Sequence, residues 1–187
     1  MGKDESSQAY HQVRRKDRAM DDEWIRDYLR KAPFGVLGTA HQNQPFHNIN
    51  LFAYDEANHA IYIHTAREGR TPSNIEDNSR VCFSTGEMGR LLPAATAMEF
   101  SVEYSSVIIF GSARITTDAN EAQHGLQMLL DKYFPHLTPG QDYQSITQQE
   151  INKTAVYRID IHSWSGKQKR EATDFSGAFY YGNKTGG

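Results

Sequence analysis

Residues 61–86 read Ile-Tyr-Ile-His-Thr-Ala-Arg-Glu-Gly-Arg-Thr-Pro-Ser-Asn-Ile-Glu-Asp-Asn-Ser-Arg-Val-Cys-Phe-Ser-Thr-Gly. Two guanidiniums, Arg67 and Arg70, flank Gly69 just ahead of Thr71-Pro72. Thr71 can cap free N–H groups, and Pro72 suits the first turn of a helix. A helix start presents unpaired N–H groups and partial positive charge. Together with two arginines in a Gly turn, that is chemistry suited to a phosphate monoester. The plainer alternative is a pair of solvated arginines beside an ordinary cap.

The elements that must hold this turn follow from the flanks. Ile61 and Ile63 alternate with Tyr62 and His64, which predicts a strand. Asn78-Ser79 ends a short helix, and Val81-Cys82-Phe83 resumes a strand.

The 187 residues suit one domain with a sizeable core. A formal net charge of -3 gives no reason to expect a nucleic-acid partner. The single cysteine, Cys82, lies in an apolar run and reads as a small buried hydrophobe, which fits a cytoplasmic, reducing setting. The polar start Met1-Gly2-Lys3-Asp4-Glu5-Ser6 does not read as a secretory signal. No apolar run is long enough to span a bilayer.

Residues 1–12 read as a disordered tail. A helix capped by Asp21 or Asp22 follows, with Trp24, Ile25, Tyr28 and Leu29 as its apolar stripe. Residues 34–40 and 45–54 predict two hairpin strands, turning at Asp55-Glu56-Ala57-Asn58 into the strand of Ile61. Gly35 and Gly38 suggest bending or close backbone approach. Residues 88–100 read as a long irregular loop. Residues 101–115 form a long strand whose Val107-Ile108-Ile109-Phe110 run implies burial on both faces, with a bulge at Gly111. Asp118 or Asn120 caps a helix bearing Leu126, Leu129 and Leu130. Residues 134–146 are a loop, 147–152 one helical turn and 155–161 a last strand. Residues 171–187 form a C-terminal extension without clear period. Six or so strands, almost all antiparallel, predict a mainly β barrel with peripheral helices.

Four segments, in order, resemble the FMN-binding split barrel of the pyridoxamine 5′-phosphate oxidase superfamily, closest to its flavin-nucleotide-binding, nitroimidazole-resistance (Nim-type) branch. They are Val13-Arg14-Arg15-Lys16-Asp17-Arg18, His64-Thr65-Ala66-Arg67-Glu68-Gly69-Arg70-Thr71, Asn78-Ser79-Arg80-Val81-Cys82-Phe83 and Tyr104-Ser105-Ser106-Val107-Ile108-Ile109-Phe110-Gly111-Ser112-Ala113. Ser165-Gly166-Lys167 is similar to the family's closing Gly-Lys.

The resemblance implies a six-stranded antiparallel Greek-key split β-barrel over residues 13–170. It implies a homodimer with two FMN sites at the subunit interface. By position, Arg70 and Thr71 hold the phosphate. The branch often has Lys where Thr71 stands, so Arg67 is the candidate to compensate. Phe46, His47, Asn48, Ile49 and Asn50 run beside the isoalloxazine, His64, Thr65 and Ala66 lie along the ribityl chain, and Trp164 and Lys167 approach the flavin from the partner subunit. For Trp164, interface packing is the favoured role. The implied activity is a flavin-dependent oxidoreductase acting on a small organic acceptor, nitroreductase-like or pyridoxamine-phosphate-oxidase-like. The alternative is a non-catalytic flavin- or haem-binding protein. FAD, deazaflavin and haem are the alternative cofactors, and any of the eight histidines could ligate haem. The residues themselves show no Ser-His-Asp or Cys-His set and no metal-ligand spacing, so the cofactor would carry the chemistry. No dinucleotide fingerprint is present, so a nicotinamide would bind only transiently over the flavin.

Overall fold

Helix α1 (Asp22–Lys31) begins with a side-chain cap: Asp21 accepts from the Trp24 amide at 2.9 Å. Its stripe turns Ile25 and Leu29 into the core, 2% and 0% exposed. The computed structural model describes residues 12–182. Residues 1–11 of the expected tail and 183–187 of the extension lie outside them.

A nine-stranded antiparallel sheet surrounds that core, in the order β3-β2-β6-β7-β8-β5-β4, with β1 on β8 and β9 on β6. The strands are β1 (Ala19–Met20), β2 (Gly35–His41), β3 (Gln44–Asn50), β4 (Ala53–Asp55), β5 (Ala60–Ala66), β6 (Arg80–Leu92), β7 (Ser101–Ile115), β8 (Thr154–Lys169) and β9 (Phe179–Tyr180). The six strands expected become nine for two reasons. Residues 45–54 are interrupted at Leu51-Phe52, so that β3 pairs with β2 while β4 pairs with β5. Two-residue strands, β1 and β9, are too short to leave a periodic signature. The irregular loop expected over residues 88–100 is also shorter than read, since β6 runs on to Leu92 with a register shift between Met88 and Leu91.

At the interruption Phe52 is fully buried. Its amide donates to the Tyr133 hydroxyl at 3.1 Å, and that hydroxyl donates onward to the Pro33 carbonyl at 2.9 Å. Lys132 donates to the Leu29 carbonyl at 3.2 Å with its ammonium 3.6 Å from the Phe52 ring centroid. Burial pulls the Lys132 pKa down to about 8. Both groups come from α3 (Ala119–Tyr133), which Asp118 caps. Helix α4 (Gln148–Lys153) begins with a full capping box between Thr147 and Glu150. With α3 it covers Tyr62 and Val156 on the outer side of β5 and β8.

The central β7 alternates instead of burying both faces. Val107 and Ile109 are fully buried, whereas Ile108 is 41% exposed and Phe110 is half-buried. Cys82, on the same outward side of β6, is half-buried and not a core residue. The register shifts at Phe110/Gly111, where the bulge was expected. Gly35 permits close approach, because a Cβ there would lie 2.0 Å from the Phe83 ring.

The extension is strapped to the barrel. Arg90 forks onto Glu103 at 2.9 and 2.7 Å and donates to the carbonyls of Glu171, Ala172 and Thr173. Glu103 also accepts from the Glu171 amide at 2.8 Å. Arg90, then that amide, hold the Glu103 carboxyl down to about 2. Replacing Arg90 by Ala should loosen the strap, because it leaves the Glu103 carboxylate without its guanidinium partner. Limited proteolysis should then cut residues 171–182 while the barrel survives. Because the folded pKa is depressed, this contribution is complete above the ordinary carboxylate range and fades as pH falls towards 2. A strap still protected in Arg90→Ala would assign its retention to β9 pairing alone.

Candidate functional site

Helix α2 (Arg70–Asp77) starts without a side-chain cap. Gly69, not Thr71, is the N-cap residue, at φ 130, a conformation a side chain would strain. Thr71 is instead buried at 7% exposure, and Pro72 stands at the third helical position, two further in than expected. No acidic residue occupies that turn. The Ser73 amide closes on the Gly69 carbonyl at 3.4 Å, Pro72 has no N–H, and the Arg70 and Thr71 amides remain for an external acceptor. The helix is fixed from below by buried Asn74, which donates to the Thr39 hydroxyl of β2 at 2.9 Å. Arg70 is exposed, makes no ion pair among the described residues, and lies 5.2 Å above the Phe46 ring.

Phe46 brings β3 alongside. This strand pairs only with β2, so its other edge has no main-chain partner among the described residues. Asn48 and Asn50 turn inward, where their amides bond one another at 3.3 and 3.1 Å. His47 and Ile49 turn outward. Gly38 makes room for the His47 ring, and Ile49 is 71% exposed.

The end of β5 divides. The Thr65 hydroxyl has two acceptors within reach, the Ala66 carbonyl at 2.9 Å and the oxygen of buried Tyr157 at 3.3 Å. His64 points the other way, into a groove of about 320 Å³ lined chiefly by Leu51, Leu126, Leu130, Phe134 and Ile146. These neighbours strip water from the imidazole and lower its pKa. His64 makes no hydrogen bond among the described residues. Ala66 is exposed. Arg67 donates to the Ile151 carbonyl of α4 at 3.1 Å, so its guanidinium serves a helix C-terminus and leaves Arg70 alone at the start of α2.

Within one chain, then, Arg70 is brought to Phe46 of β3, while Thr65 and Ala66 end the strand that leads into α2. Trp164 and Lys167 do not join them. Trp164 is on the inner face of β8, its ring 6.0 Å from Tyr54 and 4.6 Å from His59, its indole N–H on Asp22 at 2.9 Å. Lys167 is on the outer face opposite Ser106, 5.3 Å from the Tyr104 ring. Arg18 donates to the Tyr104 hydroxyl at 3.2 Å. Partial burial pushes the Tyr104 pKa up, but Arg18 and Lys167 outweigh it and bring it below the ordinary phenol value.

Sequence reasoning did not single out Gln44, His41 or Asn74 as site residues, which with Phe46 and Arg70 line a cavity of about 210 Å³ beside the start of α2. The available signal was Asn74, polar yet four residues after Arg70 on the buried side of a short helix. Among the described residues no cluster of three His, Cys, Asp or Glu side chains could hold a metal ion, and no helix is long and apolar enough to cross a membrane.

The family model described as pyridoxamine 5′-phosphate oxidase matches residues 21–168. No protein of curated function matches the sequence. Among solved structures, the flavocytochrome Anf3 from Azotobacter vinelandii is similar with TM-score 0.74 and 22% identity over 88% of this chain and 75% of its own. A protein from Bacteroides thetaiotaomicron assigned to 5-nitroimidazole antibiotic resistance gives 0.66 and 18%, over 80% and 86%. The FAD and haem binding protein from Mycobacterium smegmatis gives 0.71 and 19%, over 81% and 72%. At these identities the likeness establishes the fold.

Proposed function

The chain belongs to the pyridoxamine 5′-phosphate oxidase family, and on that footing we propose that it binds a flavin nucleotide through the FMN moiety and works as an oxidoreductase on a small organic acceptor. The observation that carries this reading is the uncapped start of α2, with Arg70 beside it, set against the unpaired edge of β3. Two free amides and one guanidinium suit a phosphate dianion. From there the β3 edge offers main-chain donors and acceptors over residues 47–50 to a polar ring edge. Thr65 and Ala66 border the intervening chain. The flavin supplies hydride and electron transfer, and the protein supplies grip, orientation and shielding from water. The single thiol suits work in the reducing cytoplasm.

The outward sheet face supports a homodimer. Val36, Ile49, Ile108 and Phe110 leave apolar surface there, and the Arg18, Tyr104 and Lys167 cluster borders it. A two-fold through this face would bring Lys167 towards the partner's flavin. Light scattering at micromolar concentration should give the dimer mass, and Ile108→Lys should give the monomer. A monomeric wild type would count against the shared site.

Arg70→Ala should weaken FMN binding by about 1.5–3 kcal/mol, the range for a hydrogen bond to a charged group. That is roughly a tenfold to hundredfold rise in Kd. Riboflavin, lacking the phosphate, should change far less, and the melting temperature should hold because the side chain is exposed. Equal losses for both ligands would move Arg70 away from the phosphate.

The groove at His64 favours a second reading, a haem-binding protein, which the names of the Azotobacter and M. smegmatis neighbours encourage. A neutral, unpaired imidazole in an apolar groove is a competent axial ligand. On this reading hemin titration gives a shifted Soret band that His64→Ala abolishes. A flavin spectrum from the purified protein, with no hemin shift, leaves the first reading alone.

A further inference from the structure

On the outward side of the sheet, strand register lines up His47, Gly38, Cys82 and Phe110 in one row across β3, β2, β6 and β7. Partners in adjacent strands share a face, so the row turns outward together. Gly38 notches it: a Cβ there would lie 3.2 Å from the His47 ring. Beyond Phe110 the register shifts. Phe110 pairs with Ser163 and Gly111 with Ile161, which leaves His162 as the extra residue of the bulge. Bulges re-aim side chains beside functional sites, and this one sends His162 to the rim of a cavity of about 360 Å³ over the notch. The cavity is larger than the His64 groove and falls in the range of small-ligand sites. Neither the flavin phosphate nor the haem reading uses it.

Its charge is one-sided. Arg80, two residues from Cys82 on the same face, lines the cavity, is exposed and makes no ion pair among the described residues. His47 makes no side-chain hydrogen bond there, and His162 has the Ser112 hydroxyl 3.1 Å from Nε2. Among the described residues no Asp or Glu lines the cavity. Asp160, in the row of Arg80 and Ser112, is held by Arg158 at 2.7 Å. One permanent positive charge without a counter-ion suits one negative charge, and a guanidinium fork matches a carboxylate. A phosphate dianion is better served at α2, where free amides accompany Arg70. The remaining surface is apolar. Phe110 and Cys82 are half-buried, and burial pushes the Cys82 thiol up, so it stays protonated and does not repel an anion. The His47 ring at one end of the row and the Phe110 ring at the other leave a slot over Gly38 that takes a flat ring.

We propose that this cavity binds a small aromatic monocarboxylate, with its carboxylate on Arg80 and its ring over Gly38 against Phe110. His47 is also the first of the residues assigned to the flavin's ring edge, which makes such an acid the organic substrate of the oxidoreductase. That role rests on the flavin reading; the binding does not. No bond is made or broken in it.

The test is calorimetric titration of the flavin-free full chain with benzoate, benzamide and acetate. Benzoate should bind about tenfold or more tighter than uncharged benzamide or ringless acetate. Arg80→Gln should remove the advantage of benzoate over benzamide and leave FMN binding unchanged. Gly38→Ala, which displaces the His47 ring into the slot, should weaken both aromatic probes. Melting curves show that each variant folds. No benzoate binding by the wild type, equal binding of benzoate and benzamide, or a benzoate advantage that Arg80→Gln keeps overturns the site, and FMN binding by the same protein then leaves the flavin reading standing. Benzoate binding through Arg80 in a chain that takes up no FMN keeps the site and removes its role in a flavoenzyme.

Discussion

Everything at the candidate site depends on the interruption at Leu51-Phe52. A strand continuous from residue 44 to residue 55 would present a single sheet edge, with neither corner nor cleft. Breaking the ladder there leaves main-chain groups to be satisfied in a buried place, and an unsatisfied one would be costly. The Tyr133 hydroxyl takes the Phe52 amide and passes its own proton to Pro33. Phe52 itself fills the core and meets Phe83 edge-on at 5.0 Å. With the corner fixed, β4 leaves to pair with β5, and β3 keeps one unpartnered edge beside α2.

That corner was hidden from the sequence for a physical reason. Residues 45–54 carry no Gly or Pro at the break, and the apolar run Leu51-Phe52-Ala53 reads as continued strand; the satisfying hydroxyl lies 81 residues away. Local signals were read where local physics decides. Asp21, Asp118 and the Thr147/Glu150 pair each cap the helix that follows them. Gly111 marks its bulge because a Cβ there would lie 2.2 Å from the Asp160 carbonyl oxygen. The Val107–Phe110 run misled because apolar continuity does not distinguish a face buried in the core from one left open on a single chain.

The site residues separate along the same line. Arg70 and Thr71 fall at a helix start because Pro72 dictates one nearby. Arg67 looked equivalent in the sequence, but it is drawn to the Ile151 carbonyl, 84 residues on. Trp164 and Lys167 are three apart on one strand, so period-two alternation sets them on opposite faces. Only the outward residue, Lys167, is available to a neighbouring subunit. Trp164 is engaged by α1 through Asp22 and by the inner aromatic residues. The interface packing expected of Trp164 is replaced by packing within the chain, because its place on the inner side of β8 turns it to Asp22 and Tyr54.

The start of α2 shows how a binding group can remain unsatisfied in a stable fold. At an N-cap with ordinary extended backbone, Ser, Thr or Asp stabilises a helix by roughly 1 kcal/mol over Ala. Gly69 makes no such bond, and its positive φ turns the chain without a side chain over the exposed amides. Stability is supplied lower in the helix by Asn74 on Thr39 and by buried Ile75. The anchoring and the amides are therefore separated by about one helical turn. The helix holds its place through groups that face the barrel, and the groups that face outward need no internal partner. An anion arriving there meets donors already aimed, with little further ordering of the protein required.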